Sequence, residues 1–435
     1  MSYRDLLFTL VLALAFALLL SFSNAEETET TDSPEDSLST EEYPLDMDTL
    51  EEFIQSYYLL LDSNEYLTKF KFINPEKNLF RGDKPALKGF YEKLLELRSG
   101  LRNRVSIYQI GDSHIQSGYF PGTARSSLQK YFGNAGRGLV FPLRLAGTNQ
   151  PDDYKFSSSS GFNRVSAEHG LCGYTLAARD GSTTQLSTNN FYGVNNAFNK
   201  LSMISSLPGL KAKIDLPNEE PKGFDAKLGD YYYSTISWNK QSSNLKLTLQ
   251  GESSKLYALL LENENPGLLF HSTGINGAGF YNLLDQPQLF QQIGMLNPDL
   301  IVISLGTNDA QGNYRNEFFK ANLGKFMALL RAANPKTPVL FTLPPDSNKR
   351  KKHNSDLAKV EKALIDYAKD NDCAWWNLSD VMGGNGSVQK WRKEDMASSD
   401  LLHYTPKGYM LQGYLFYQAF IKSYKEFSET SPKGN

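Results

Sequence analysis

This sequence is poor in the residues that staple small exported proteins or hold metal ions. Among 435 residues there are two cysteines, Cys172 and Cys373. Two are too few for a disulfide framework, and nothing in the sequence requires them to meet; burial as free thiols is the preferred reading, a pairing the alternative. No metal site is read at either cysteine, and no metal and no cofactor is expected. Apolar runs long enough to span a membrane are also lacking. The one long run, Leu6 to Leu20, stands behind Arg4 and ends in Ser23-Asn24-Ala25. That pattern fits a signal peptide over residues 1–25 better than a spanning helix. No cysteine follows it, which argues against a lipoprotein anchor. An exported protein with no stable membrane span after cleavage is expected.

Basic residues are absent from Glu26 to Glu52, a stretch that holds twelve acidic ones. With Ser, Thr and Pro interspersed, residues 26–52 read as an acidic, disordered linker. The whole chain carries −3; Arg4 and Asp5 cancel, so the remainder after the linker is about +9. That excess suits an anionic polymer such as a cell-wall glycan as well as plain solubility. It is not clustered enough to indicate nucleic acid. A 40% hydrophobic share is that of a chain that buries a core, and its length admits two to three domains.

Helical apolar spacing marks Met47–Leu61 and Ala86–Leu97, the second with Gly100 as its cap. An apolar strand over Val105–Ile110 runs into Gly111-Asp112-Ser113-His114, and Gly118–Phe132 is helical again. From Asn149 to Glu262 the character changes to Ser, Asn, Gly and Tyr with short alternating runs. Such runs read as an inserted β-sandwich over residues 149–262. Its aromatics could stack on sugar rings, Trp238 first, with a core role the blander alternative. Strands at Gly267–His271, Leu300–Leu305, Pro338–Leu343 and Cys373–Leu378 then alternate with helices at Phe280–Leu296, Asn316–Ala332, Ser355–Lys369 and Pro406–Tyr424. That alternation predicts an α/β unit with a parallel sheet covered on both faces, split into residues 53–148 and 263–427.

A serine at a strand-to-helix turn is ordinarily a cap. It can be a nucleophile only if the chain supplies a base, an orienting carboxylate and oxyanion donors. Asp400 and His403, three residues apart before the last helix, provide a carboxylate that can accept from His403 Nδ1 and leave Nε2 for Ser113. Asn308, past the end of the Leu300 strand, can aim an amide at a developing oxyanion, and Gly277 can offer an open N–H. Each has a bland reading as a cap, turn or hinge, but all four fall at strand ends and in one order.

Gly111-Asp112-Ser113, the Gly277 loop, Gly306-Thr307-Asn308-Asp309 and Asp400-Leu401-Leu402-His403 resemble blocks I, II, III and V of the SGNH (GDSL-type) hydrolase superfamily. The resemblance implies a flavodoxin-like, three-layer α/β fold. It implies Ser113 as nucleophile, His403 as base, Asp400 as its orienter, and an oxyanion hole from the Ser113 and Gly277 N–H groups and the Asn308 side chain. His114 after the serine, the β-rich insert, and Trp375-Trp376-Asn377-Leu378 leading to Met382-Gly383-Gly384 and Trp391 are similar to bacterial peptidoglycan O-acetylesterases. In that group the β domain is carbohydrate-binding-like, which implies a periplasmic or cell-surface esterase acting on an acetylated glycan. The same residues leave open an O-acetyltransferase, a lipid or thioester hydrolase, and a glycan-binding protein with an inactive hydrolase domain. Asp112 and His114 are expected to brace the serine turn, while His169, His271 and His353 have no partner at useful spacing. Lys349-Arg350-Lys351-Lys352 reads as a solvated charge run beside the site.

Overall fold

The structure, a computed structural model, describes residues 57, 61, 64–82, 86–215 and 220–430. The expected signal segment, the expected acidic linker and all of the helix expected over Met47–Leu61 but two of its residues lie outside that set. Among the described residues no helix is long and apolar enough to cross a membrane.

Five strands form a parallel sheet: β1 Arg104–Gly111, β2 Gly267–Gly274, β3 Leu300–Ser304, β4 Val339–Thr342 and β5 Ala374–Trp376. Their order is β2-β1-β3-β4-β5. This order reverses direction between β1 and β3, and ligands of doubly wound sheets bind outside the strand carboxyl ends at such a switch point. Alternation sets the two faces. Val105, Ile107, Leu268, Phe270, Val302 and Leu340 enter one core; Tyr108, Ile110, Ile301, Ile303, Val339 and Phe341 enter the other.

The first face is covered by α1 Lys88–Arg98, α3 Tyr119–Phe132 and α8 Pro406–Thr430, with the single-turn helix α2 Ser113–Gln116 at its rim. The second face is covered by α4 Pro287–Leu296, α6 Asn316–Ala333 and α7 Leu357–Asp370; the short α5 Thr307–Gln311 follows β3. The helix expected over Phe280–Leu296 is shorter than its apolar spacing. Tyr281–Leu283 is a 3-10 turn, and Pro287 restarts the chain as the first residue of α4, where its missing N–H costs nothing. Gly100 does stand past the end of α1, with φ 77° and its N–H on Leu97 O.

Between α3 and β2 the chain builds an antiparallel sheet. It leaves through Gly138–Val140 and returns through Ser254–Glu262, and these two strands pair, Leu259 with Val140 and Leu261 with Gly138. The excursion therefore closes on itself beside β2. Hydrogen bonding joins its nine strands into one network, where a sandwich would show two. The long strand Thr175–Thr188 accounts for this. One edge takes Tyr154–Val165, and the other is shared between Ser254–Glu262 and Asn244–Gly251. Buried residues of this sheet, Leu176, Leu201, Met203, Leu247 and Leu259 among them, continue into the core on the second face. Trp238 is one of these. It is 4% exposed and meets Phe198 edge to face at 5.6 Å, so it is a core residue and is closed to a sugar. Cys172 and Cys373 are both buried free thiols.

A buried charged joint ties the antiparallel sheet to α3. Asp153, fully buried at the start of Tyr154–Val165, accepts from Arg125 Nη2 of α3 at 2.6 Å. It also accepts from Arg137 Nε and Nη2, each at 3.0 Å. Both guanidiniums are buried, and together they hold the Asp153 carboxyl down to about 2 against the effect of burial. Removing the acid would strand two buried cations. Asp153→Ala should therefore lower the unfolding free energy by about 3–5 kcal/mol, read as a shift of the urea midpoint. A change under about 1 kcal/mol would mean that water reaches the arginines.

Candidate active site

Parallel pairing sets Gly111 opposite Gly274 on one side and opposite Ser304 on the other. Three strand ends thus stand abreast, and the candidate residues lie within a few positions of each. After Gly111 the chain turns sharply. Asp112 caps α2 by accepting the His114 N–H at 3.0 Å, and Ser113 becomes the first residue of that turn with its N–H free of any intrahelical acceptor. Ser113 Oγ is 3.1 Å from His403 Nε2, across 290 residues of sequence. His403 Nδ1 is 2.7 Å from Asp400 Oδ2, while Asp400 Oδ1 accepts the N–H groups of Leu402 and His403 at 2.9 and 3.0 Å. An aspartate that bonds the backbone two and three residues on makes a turn by itself. This one fixes the imidazole and the carboxylate in a single geometry. Burial would raise the Asp400 carboxyl, but the His403 ring and the two N–H groups outweigh it and hold it well below the usual carboxylate range. His403 therefore carries its proton on Nδ1 toward Asp400 and turns Nε2 as an acceptor to the serine hydroxyl.

Past Gly274 the loop peptides are anchored in turn. Ile275 N–H goes to Gly111 O at 3.0 Å, Asn276 N–H to Gln116 Oε1 at 3.2 Å, and Ala278 N–H to Ile275 O at 3.0 Å. Gly277 N–H, between them, has no acceptor among the described residues. Gly277 has φ 73°, a left-handed conformation that costs other residues about 1–2 kcal/mol. Asn308, second residue of α5, donates from Nδ2 to Ala278 O at 2.9 Å and, at a long 3.4 Å, to Asp112 Oδ2. Among the described residues no group of three or more His, Cys, Asp and Glu is placed to hold a metal.

Comparison with known proteins can now be read against this geometry. Residues 242–411 match the GDSL-like Lipase/Acylhydrolase family. That stretch holds Gly277, Asn308, Asp400 and His403 and begins after Ser113, from which the antiparallel excursion separates it. A structure of a peptidoglycan O-acetylesterase superposes with a TM-score of 0.64 at 19% identity, over 79% of this chain and 98% of that one. A match this wide includes part of the antiparallel sheet. The α/β layer is that of an SGNH, or GDSL-type, hydrolase. A lipase/acylhydrolase from Enterococcus faecalis aligns over 39% of this chain and 80% of its own, at 19% identity and a TM-score of 0.30. An acetyl xylan esterase aligns over 35% and 81%, at 17% identity and a TM-score of 0.30. No curated protein sequence matches.

Beneath the candidate groups the protein buries more ionisable side chains than its sequence revealed. His114 is buried and its Nδ1 is 3.0 Å from the hydroxyl of Tyr409 on α8. Its ring lies 5.5 Å from that of His403. Burial, with the His403 charge adding, brings His114 down to about 3, so it is neutral at working pH. Burial also pushes Asp112 up to about 7, against the pull of the His114 N–H, the His403 charge and the Thr307 hydroxyl. Asp309, beside it, is pushed by burial up to about 6 and receives the Phe280 N–H on both oxygens at 3.3 Å. Tyr409, six residues past His403, had no signal in the sequence, and Asp309 only its place in the third block. The other histidines stand apart from these groups, and of the charge run Arg350, Lys351 and Lys352 are exposed while Lys349 is not. His169 Nδ1 meets Gly173 O at 2.6 Å, His271 is buried, and His353 Nδ1 lies 3.5 Å from Asp346. Lys349 is no solvated charge: its Nζ is spent on Ala310 O, Gly312 O and Asp356.

Asp112 and His114 drive stability in opposite directions with pH. An unfolded carboxyl titrates near 4 and the folded Asp112 near 7. The fold therefore holds an extra proton between those values, and the stability it carries is whole below pH 4 and lost as pH rises to 7. His114, neutral in the fold, instead costs stability as pH falls below about 6.5. Asp112→Asn removes the first effect alone. Relative to the unaltered chain, its unfolding free energy should climb between pH 4 and 7 by up to about 1.4 kcal/mol per unit, measured by urea titration at each pH. A difference that stays level would mean Asp112 titrates like an exposed carboxylate.

Proposed function

We propose that this protein is an exported bacterial serine esterase that removes O-acetyl groups from a glycan, with peptidoglycan as the substrate, at the periplasm or cell surface. The observation that carries the chemistry is the line Asp400 Oδ2, His403 Nδ1, His403 Nε2 and Ser113 Oγ, closed at 2.7 and 3.1 Å at the switch point of the sheet. Esterase chemistry is the class that the family match supports. The acetylated glycan rests on the structural likeness to a peptidoglycan O-acetylesterase, and export on the apolar run behind Arg4.

In this reading Ser113 Oγ attacks the acetyl carbonyl as its proton passes to His403 Nε2. The carbonyl oxygen becomes an oxyanion, held by the Ser113 and Gly277 N–H groups and by Asn308 Nδ2. The 3.4 Å contact of Asn308 to Asp112 is the weak one, so the amide can give it up to a full negative charge. Collapse of the adduct breaks the ester C–O bond, and His403 returns its proton to the departing sugar alcohol. Water then attacks the acyl-enzyme, giving its proton to His403, and acetate leaves as Ser113 is restored. Asp400 stays ionised throughout and stabilises the imidazolium.

Acetate release from O-acetylated peptidoglycan, with acetylated xylan in parallel, tests both chemistry and substrate. Ser113→Ala should lower turnover at least about a thousandfold, and Asn308→Ala should lower kcat by about 10²–10³ with the fold intact by circular dichroism. Release from xylan alone would keep the mechanism and overturn the substrate. Full activity in Ser113→Ala would overturn the mechanism.

A further inference from the structure

The Gly277 N–H can serve as an oxyanion donor only if its peptide is held still; Asn282 Nδ2 donates to Gly277 O at 3.1 Å on one side, and a buried side chain outside the triad binds the residue before it on the other. Gln116 ends the single turn α2 that Ser113 begins, and it is 3% exposed. All four of its hydrogen-bonding positions are filled. Its Oε1 accepts from Asn276 N–H at 3.2 Å and from the Tyr174 hydroxyl at 3.0 Å. Its Nε2 donates to Thr148 Oγ1 at 2.7 Å and to Asn149 O at 3.2 Å. With two acceptors facing Nε2 and two donors facing Oε1, the amide has one allowed orientation. Rotating it by half a turn would set N–H against N–H at Asn276.

The partners come from three parts of the chain. Asn276 precedes Gly277. Thr148 and Asn149 lie in the segment that leads into Tyr154–Val165, and Tyr174 immediately precedes the long strand Thr175–Thr188 of the antiparallel sheet. Asn276 is bound a second time, its Nδ2 lying 3.3 Å from Thr148 Oγ1. Backbone packing adds to this fit: a Cβ at Gly274 would come within 2.1 Å of the Gln116 nitrogen, so β2 ends pressed directly on α2.

We propose that Gln116 is a positioning residue that fixes the Gly277 N–H in the oxyanion hole, and that Tyr174 lets the antiparallel sheet set the orientation of its amide. This rests on the esterase reading for its catalytic consequence but not for its structural one. Gln116 couples the nucleophile turn to the oxyanion loop, because both of its ends are on the same two elements. Loss of the acceptor leaves Asn276 N–H without a partner and lets the Gly277 peptide swing.

The test has a catalytic and a structural arm, both on the full chain. With p-nitrophenyl acetate, Gln116→Leu should lower kcat about tenfold or more while KM stays within about twofold, the pattern of an interaction made in the transition state. Phenylboronic acid gives a second reading. The Ser113 Oγ–boron bond forms, the hydroxyl proton passes to His403, nothing leaves, and a boron-bound oxygen occupies the hole. Its affinity should fall by the same factor as kcat. Tyr174→Phe, which removes one of the two donors to Gln116 Oε1, should show a smaller loss of the same kind. In the structural arm, amide exchange of residues 275–279 should quicken in Gln116→Leu while β1 and β3 stay protected. Unchanged exchange overturns the proposal whether or not the protein is active. So does a loss confined to KM. If Gln116→Leu fails to fold, Tyr174→Phe carries both arms, and normal kcat with normal exchange in it overturns the role of the sheet. An unaltered chain that leaves every ester intact would sink the esterase reading and leave the exchange result standing on its own.

Discussion

The structure depends on the register of three parallel strands. Once Gly111 is opposite Gly274 and Ser304, the turns that follow cannot choose where to go; they fall into one shallow row at the carboxyl edge. A slip of one residue in β2 or β3 would exchange the faces of that strand, putting Leu268 and Phe270, or Val302, into the wrong core. The apolar side chains buried on both sides therefore enforce the positions of Ser113, Gly277 and Asn308. Only His403 and Asp400 come from elsewhere. They are delivered by α8, whose Gly413 lies so close to α3 that a Cβ there would come within 2.4 Å of Phe120 O.

The site rests on a floor that works against stability. Asp112, His114 and Asp309 are ionisable groups in apolar surroundings, and each is shifted toward its neutral form. A hydrophobic floor would be more stable, but it could not accept the N–H groups that shape the turns. Asp112 takes the His114 N–H and Asp309 the Phe280 N–H; each thereby satisfies a backbone donor that would otherwise be buried unpaired. Local rules are broken here because backbone geometry at the strand ends takes precedence over burial.

Much of this was legible in the sequence, for identifiable reasons. The parallel strands are short continuous apolar runs and the helices carry clear periodicity, so their order could be read without tertiary information. The Asp400 to His403 contact is local, set by three residues, and needs no fold to be inferred. What stayed hidden depends on side chains meeting across long separations. The alternating runs between residues 149 and 262 indicated strands, but pairing within a large antiparallel sheet is set by edges, and nothing local says that Thr175–Thr188 divides one edge between two neighbours. Trp238 lies on an alternating strand whose buried face cannot be told from its exposed one by pattern alone. Pro287 did carry a signal, since a proline restarts a helix more readily than it continues one. Lys349 looked like one of four solvated cations, and two of its acceptors, Ala310 O and Gly312 O, lie on a segment that the sequence could not bring near.

Two of the polar joints between the antiparallel sheet and the α/β layer differ in character, and the difference follows from what each must do. At Asp153 the joint is ionic, with one carboxylate between two buried guanidiniums; such a joint is strong only while complete, and it fixes the sheet against α3. At Gln116 the joint is neutral, a set of amide and hydroxyl hydrogen bonds, each contributing roughly 1 kcal/mol net. A charge placed there would lie close to Ser113 and would perturb the oxyanion and the imidazolium alike. A neutral amide fixes direction without adding a field of its own. The ionic joint can therefore hold the sheet against α3 while the neutral one sets the loop beside Ser113, and the two tasks do not compete for the same residue.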